Sequence, residues 1–197
     1  MARTRIEEGY LSLSVELNAL DYLEKAYDYI QQTGSDPMAW KWVVIALHGA
    51  LYGFAICALQ GANPDRVTFK TKKGAAKLIS FDEALARSQD PGWMGIFVIS
   101  KPLRLNSEQK DSIRRLKKTL RNNFEHYIPK HEALDLLGMP QITKDVLDVI
   151  GFLTFDTGNC DLTSIQERRV KSIIFQSKRI LKKSNLYRMF QSMKGTQ

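Results

Sequence analysis

Val43-Val44-Ile45-Ala46-Leu47-His48-Gly49-Ala50-Leu51-Tyr52-Gly53-Phe54-Ala55-Ile56-Cys57-Ala58-Leu59 runs for seventeen residues without an Asp, Glu, Lys or Arg. That is the lower edge of what crosses a bilayer, and the run carries His48, Gly49 and Gly53 and is flanked by Trp40 and Trp42. The rest of the chain supplies several amphipathic helices that need something apolar to pack around. The run is therefore expected to be a buried helix at the centre of a bundle, with no membrane partner.

Working outward, Leu13, Leu17, Leu20, Leu23, Tyr27 and Ile30 recur at spacings of three and four, predicting a helix on the N-terminal side. Gly34 is expected to cap it, and Asp36-Pro37 to open the apolar helix, which Gly61-Ala62-Asn63-Pro64 should end. The two helices should form an antiparallel hairpin. Residues 62–105 contain too many breakers for a long element. They read as a mostly irregular insertion with one short helix from Ser80 to Ser88, and Ile96-Phe97-Val98-Ile99 is ambiguous between a short strand and packed loop.

Asn106-Ser107-Glu108-Gln109 has a capping-box pattern, so a helix should run to about Tyr127, with Ile113, Leu116, Leu120, Phe124 and Tyr127 as its apolar stripe. A shorter helix is expected over Lys130–Leu137, closed by Gly138 and Pro140. Thr143 should then cap a helix to about Phe155, and Thr163 with Gln166 a last long one to about Lys183. The predicted fold is all-α, four long helices with shorter ones between. It forms one domain over residues 1–184, followed by a basic tail at 185–197.

The chain has 197 residues, 44% of them apolar and 25% charged, enough for a substantial core and against disorder throughout. Cys57 and Cys160 lack metal-ligand spacing, so buried reduced thiols are expected rather than a disulfide scaffold or a zinc site. The first residues run straight into mixed charge without a signal-type apolar region, so export is not expected and a cytoplasmic location is.

The net charge of +8 is unevenly spread. Residues 1–37 carry −4 and residues 131–167 carry −6, whereas residues 101–130 carry +6 and residues 168–197 carry +9 with no acidic side chain. If the two basic helical regions are neighbours, they make a field that concentrates phosphates. The competing reading is a solvated face partly paired with the acidic segments.

Arg121-Asn122-Asn123-Phe124-Glu125-His126 is the most informative hexapeptide. Asn122 and His126 are four apart and share a helix flank, and the long side chain of Arg121 can swing toward it. A guanidinium, an amide and an imidazole converging on one phosphate are the parts needed to cleave RNA without a metal or other cofactor. The ribose 2′-OH attacks phosphorus, an imidazole moves protons, and a cation binds the charge that grows on the non-bridging oxygens. DNA lacks the attacking hydroxyl. Lys117 and Lys118, one turn earlier, together with Arg114, Lys130 and His131, are candidate RNA- or phosphate-binding residues.

The hexapeptide resembles the HEPN superfamily, whose ribonuclease members carry an Arg, usually followed by a polar residue, and a His four to six residues after the Arg. The resemblance implies an all-α bundle that dimerises so that two motifs face each other in one composite site. It also implies a metal-independent endoribonuclease, catalysed by Arg121 and His126 with Asn122 assisting, of the kind found among toxins and defence effectors and answering to an antitoxin or regulatory protein. The hexapeptide is a local match, and residues 62–105 show nothing diagnostic of the superfamily.

Other readings stay open. Arg121 and Glu125 can form a surface pair with His126 hydrogen-bonded beside Pro129. His48 reads as a core histidine, although an opposed helix often contributes to a bundle's site. A non-catalytic nucleic-acid or nucleotide binder, and an interaction module using apolar surface around Trp40 and Trp42, are the other two functional classes. No phosphate loop, paired-carboxylate or Ser-His-Asp arrangement is present.

Overall fold

The computed structural model describes residues 9–125 and 133–194. The fold is all-α, 67% helix and 4% strand. Helix α1 (Val15–Ile30) starts where the Ser14 side chain accepts from the Leu17 amide, and the chain then turns at 31–35. Gln31, not Gly34, takes the C-cap position. Pro37 lies in the turn before α2 (Ala39–Gln60), where Asp36 Oδ1 accepts from the Met38 amide at 2.8 Å.

Helix α2 is the axis of the molecule. It is long and apolar enough to cross a membrane, and 72% of its most apolar window is buried within the fold. Helix α1 packs along it in an antiparallel hairpin. Two glycines permit this approach: a Cβ at Gly53 would fall 2.7 Å from the Ala19 Cβ, and one at Gly49 would fall 2.6 Å from the Tyr22 ring. Gly61 ends α2 at φ +51°, a backbone angle that favours glycine. Trp40 is buried and Trp42 is partly exposed against Tyr29, so Trp40 contributes no apolar surface for a partner.

The segment read as mostly irregular is more ordered than expected. After a 3₁₀ turn at Pro64–Arg66 come β1 (Thr68–Lys70) and β2 (Ala76–Leu78), antiparallel with Phe69 opposite Lys77. Then come α3 (Phe81–Ser88) and the single turn α4 (Pro91–Met94). Each strand is three residues long, too short for alternation to announce it. Arg66 and Arg87 hold this region together. Arg66 Nε donates to the Leu59 carbonyl, Arg87 donates to the Arg66 carbonyl, and the Arg87 guanidinium lies 3.9 Å from the Trp93 ring centre. Residues 95–106 are irregular, and Phe97, Val98 and Ile99 are exposed, forming neither strand nor packed loop.

The capping box at Asn106–Gln109 starts α5 (Ser107–Arg114). The helix does not continue regularly to Tyr127. Residues Arg115–Arg121 form a π-helical segment in which the Asn122 amide donates to the Lys117 carbonyl, followed by α6 (Asn122–Glu125). Leu116 and Leu120 are buried in this segment, which packs on α2. Such wide turns arise from packing and leave no local sequence mark.

Residues 133–138 are not helical, against the expected helix over Lys130–Leu137; residues 130–132 of that stretch, like the expected end of the preceding helix at Tyr127, lie outside the described residues. Gly138 and Pro140 open a helix instead of closing one, because proline is compatible with the first turn. Helix α7 (Met139–Gly151) therefore starts earlier than the Thr143 cap predicted, and Thr143 is buried inside it. A second π-helical segment, Phe152–Asp156, extends it. The Thr163–Gln166 capping box starts α8 (Ser164–Lys183) as expected. The segment 185–197, read as a tail, contains α9 (Asn185–Lys194), which packs on α7 and α8.

Buried polar bonds lock the layers. Ser112 Oγ donates to Asp145 Oδ2 at 2.7 Å, joining α5 to α7. Cys57 and Cys160 are free thiols. Cys160 as a hydrogen-bond neighbour and burial both push the Cys57 thiol far above its ordinary range, so it stays protonated and unreactive.

Candidate functional site

A groove of about 960 Å³ follows α2 on the side where α1, the β-hairpin, the start of α3 and the first π-helical segment meet it. Ile45 and Gln60 both line it, fifteen residues apart, so it extends about 22 Å along the axis. Its walls are mostly apolar, with Tyr22 and Tyr52 among them. Its charged groups gather where His48, Phe81, Lys117 and Arg121 meet.

Each of these side chains has a local reason to be there. The Ser80 hydroxyl accepts from the Glu83 amide, so α3 starts with Phe81 facing α2. The Tyr52 hydroxyl, one turn after His48, donates to the Ile79 carbonyl, and the Ile79 amide donates to the Val67 carbonyl at 2.9 Å. The hairpin and α3 are thereby fixed against α2. Lys117 and Arg121, four apart in the π-helical segment, reach the same groove.

His48 stacks on Phe81, and the Lys117 ammonium lies 5.8 Å from the Phe81 ring centre while pairing with Asp82. Burial lowers the His48 pKa to about 4, helped by the nearby Arg121 and Lys117 charges and opposed by Asp82. At neutral pH the imidazole is uncharged and keeps one nitrogen as an acceptor.

Arg121 is half-buried, and its Nη1 donates to Asn122 Oδ1 at 3.2 Å. Asn122 thus orients the guanidinium. Arg114 is exposed and pairs with Asp111 at 2.9 Å. Arg114 and Lys118 line a separate cleft of about 180 Å³, and Lys117 borders both it and the groove. His126, Lys130 and His131 lie outside the described residues, as does the side chain of Glu125, the partner of Arg121 in the competing surface-pair reading. Among the described residues, no cluster of three or more His, Cys, Asp or Glu side chains is placed to hold a metal ion.

The hexapeptide thus contributes Arg121 to the groove, with Asn122 hydrogen-bonded to it, and Lys117 joins them. Sequence reasoning missed Phe81 and Asp82 and treated His48 as a core residue. The available signal was the placement of His48 and Tyr52 one turn apart in a run otherwise almost free of polar groups. In comparison with known proteins, the chain matches no family model, no curated protein and no solved structure.

Proposed function

We propose that the chain is a metal-independent endoribonuclease of HEPN type, in which Arg121 binds the scissile phosphate and imidazoles move the protons. The observation that carries this reading is the neutral His48 beside two cations, Arg121 and Lys117, in one groove. Arg121 and Lys117 would bind the non-bridging oxygens as charge develops on them. A neutral imidazole accepts the 2′-OH proton as the oxygen attacks phosphorus, and a protonated imidazole gives a proton to the departing 5′-oxygen. His48 suits the accepting role, and His126, four residues after Asn122 in the sequence, the donating one. A phosphate beside Arg121 and Lys117 offsets their positive charge and moves His48 back toward a useful basicity.

The resemblance adds a homodimer whose two motifs complete one site, and a role as a toxin or defence effector held in check by an antitoxin or regulatory protein. The deciding experiment incubates purified protein with single-stranded RNA in excess EDTA. Expected are products ending in a cyclic phosphate, no cutting of DNA, and loss of cutting in His126→Ala and Arg121→Ala. Cutting that persists in both variants, or that needs Mg²⁺, overturns the mechanism.

A second reading, a phosphate-binding module without catalysis, is favoured by one feature: an imidazole with a pKa near 4 is a weak base until an anion arrives. RNA affinity without product would establish it.

A further inference from the structure

The largest concentration of charge lies away from the groove, on α8. Its buried residues Val170, Ile173, Ile174, Ser177 and Leu181 face the core. Arg168, Lys171, Phe175, Arg179 and Lys182 recur at three and four and make one exposed stripe. From Arg168 to Lys182 it spans about 21 Å. At its centre Phe175 is 64% exposed. Among the described residues, neither Arg168, Arg179 nor Lys182 has a carboxylate within 4.0 Å, and Lys171 reaches Glu167 only at 3.9 Å.

Beside the stripe is a hollow of about 390 Å³ between α8 and the second π-helical segment, with Phe152, Phe155 and Phe175 in its lining. Lys171 lies 4.7 Å from the Phe155 ring centre, and Lys178 pairs with Asp148 at the hollow's edge. Asp156 is the other carboxylate on the rim. An aromatic face held in water between cations one turn away on either side, with a concavity roomy enough for a base next to it, matches how proteins hold single strands. Cations track the phosphates and a ring stacks on an unpaired base.

We infer that the outer face of α8 is a docking site for single-stranded RNA, with phosphates on Lys171, Arg179 and Lys182 and a base stacked on Phe175 at the mouth of the hollow. A duplex does not fit this chemistry, because its bases are already stacked on each other. An anionic bilayer fits less well, because α8 turns its apolar side inward and leaves only Phe175 and, at its start, Ile165 exposed, where an interfacial helix presents a continuous apolar face. The site is separate from the Arg121 groove and does not depend on cleavage.

The test measures fluorescence anisotropy of a labelled 2′-O-methyl oligouridine, which lacks the attacking hydroxyl, with the full chain at several salt concentrations. Phe175→Ala is expected to weaken single-strand affinity roughly tenfold and leave duplex RNA binding nearly unchanged, with Phe175→Tyr restoring it. Arg179→Glu with Lys182→Glu is expected to weaken binding by more than tenfold and to reduce the salt slope by about 1.4. Wild-type affinity in both variants, equal loss for duplex and single strand in Phe175→Ala, or phosphatidylserine vesicles bound in place of RNA overturns the proposal. Combined with Arg121→Ala, Phe175→Ala should still weaken single-strand affinity by the same factor. Absence of cleavage with these α8 effects intact would refute only the nuclease reading, and cleavage with unaltered α8 variants only this one.

Discussion

The imidazole of His48 and the ring of Phe81 lie nearly parallel, 18° apart, with centroids separated by 4.3 Å. This contact joins the central helix to the first residue of α3 and puts the imidazole beside the cations of the 115–121 segment. His48 is thus surrounded by an aromatic face, two positive groups and the opposing carboxylate of Asp82.

The His48 ring should titrate near pH 4 when its carbon-bound protons are followed by NMR. Arg121→Ala should raise that value in part only, since burial is the larger cause. Inorganic phosphate at millimolar concentration should raise it as well. A titration near 6.5 that ignores both changes would break the link between His48 and the basic groups.

Stability should fall as the solution is acidified from about pH 6.5 toward 4. In that window the unfolded chain protonates this imidazole and the folded chain does not, so unfolding takes up a proton. The cost is at most about 3 kcal/mol for a shift of this size. Urea midpoints at pH 7 and pH 4.5 should differ less in His48→Gln than in the wild type, and an unchanged difference would contradict the assignment.

Asp82→Asn releases Lys117 and removes a nearby anion that opposes the cations. His48 should titrate lower still, because the carboxylate raises its pKa. RNA should bind the groove roughly two- to fivefold more tightly, given the modest energy of a pair whose carboxylate is mostly exposed. Weaker binding would mean that Asp82, rather than competing with the substrate, positions Lys117 for it.

Gly53→Ala should cost about 1–3 kcal/mol despite alanine's better helix propensity, because the added methyl meets Ala19 Cβ at 2.7 Å and its Cα at 3.0 Å. Gly49→Ala should cost less, since the atoms it meets belong to the partly exposed Tyr22 ring, which can swing aside. Thermal melts of the two variants in the opposite order would show that the α1–α2 crossing is not limited by these residues.

The features legible in the sequence are those set by neighbours along the chain. Both capping boxes, the short helix after Ser80 and the uncharged run of α2 depend on residues within a few positions of one another, and all four are present. Pro140 misled because its ring is as compatible with a helix's first turn as with the stretch beyond its end, and only packing decides which. The same holds for the site. Lys117 and Arg121 are evident from spacing, whereas His48 joins them only once the Tyr52 hydroxyl and the Ser80 cap have seated α3 on α2.

The π-helical segment also ties the direction of Arg121 to turn width as well as residue count. A chain shortened by one residue between Leu116 and Arg121 could close ordinary α-helical turns there, and each residue in an α-helix advances about 100° round the axis. Four α-helical steps turn about 400°, nearly what the five wider steps turn, so a deletion sparing Lys117 and Lys118 would leave every charge in place and keep Arg121 and Asn122 on the same face. Among otherwise similar chains, one residue fewer in this stretch is therefore expected together with ordinary helical turns and an unchanged phosphate clamp.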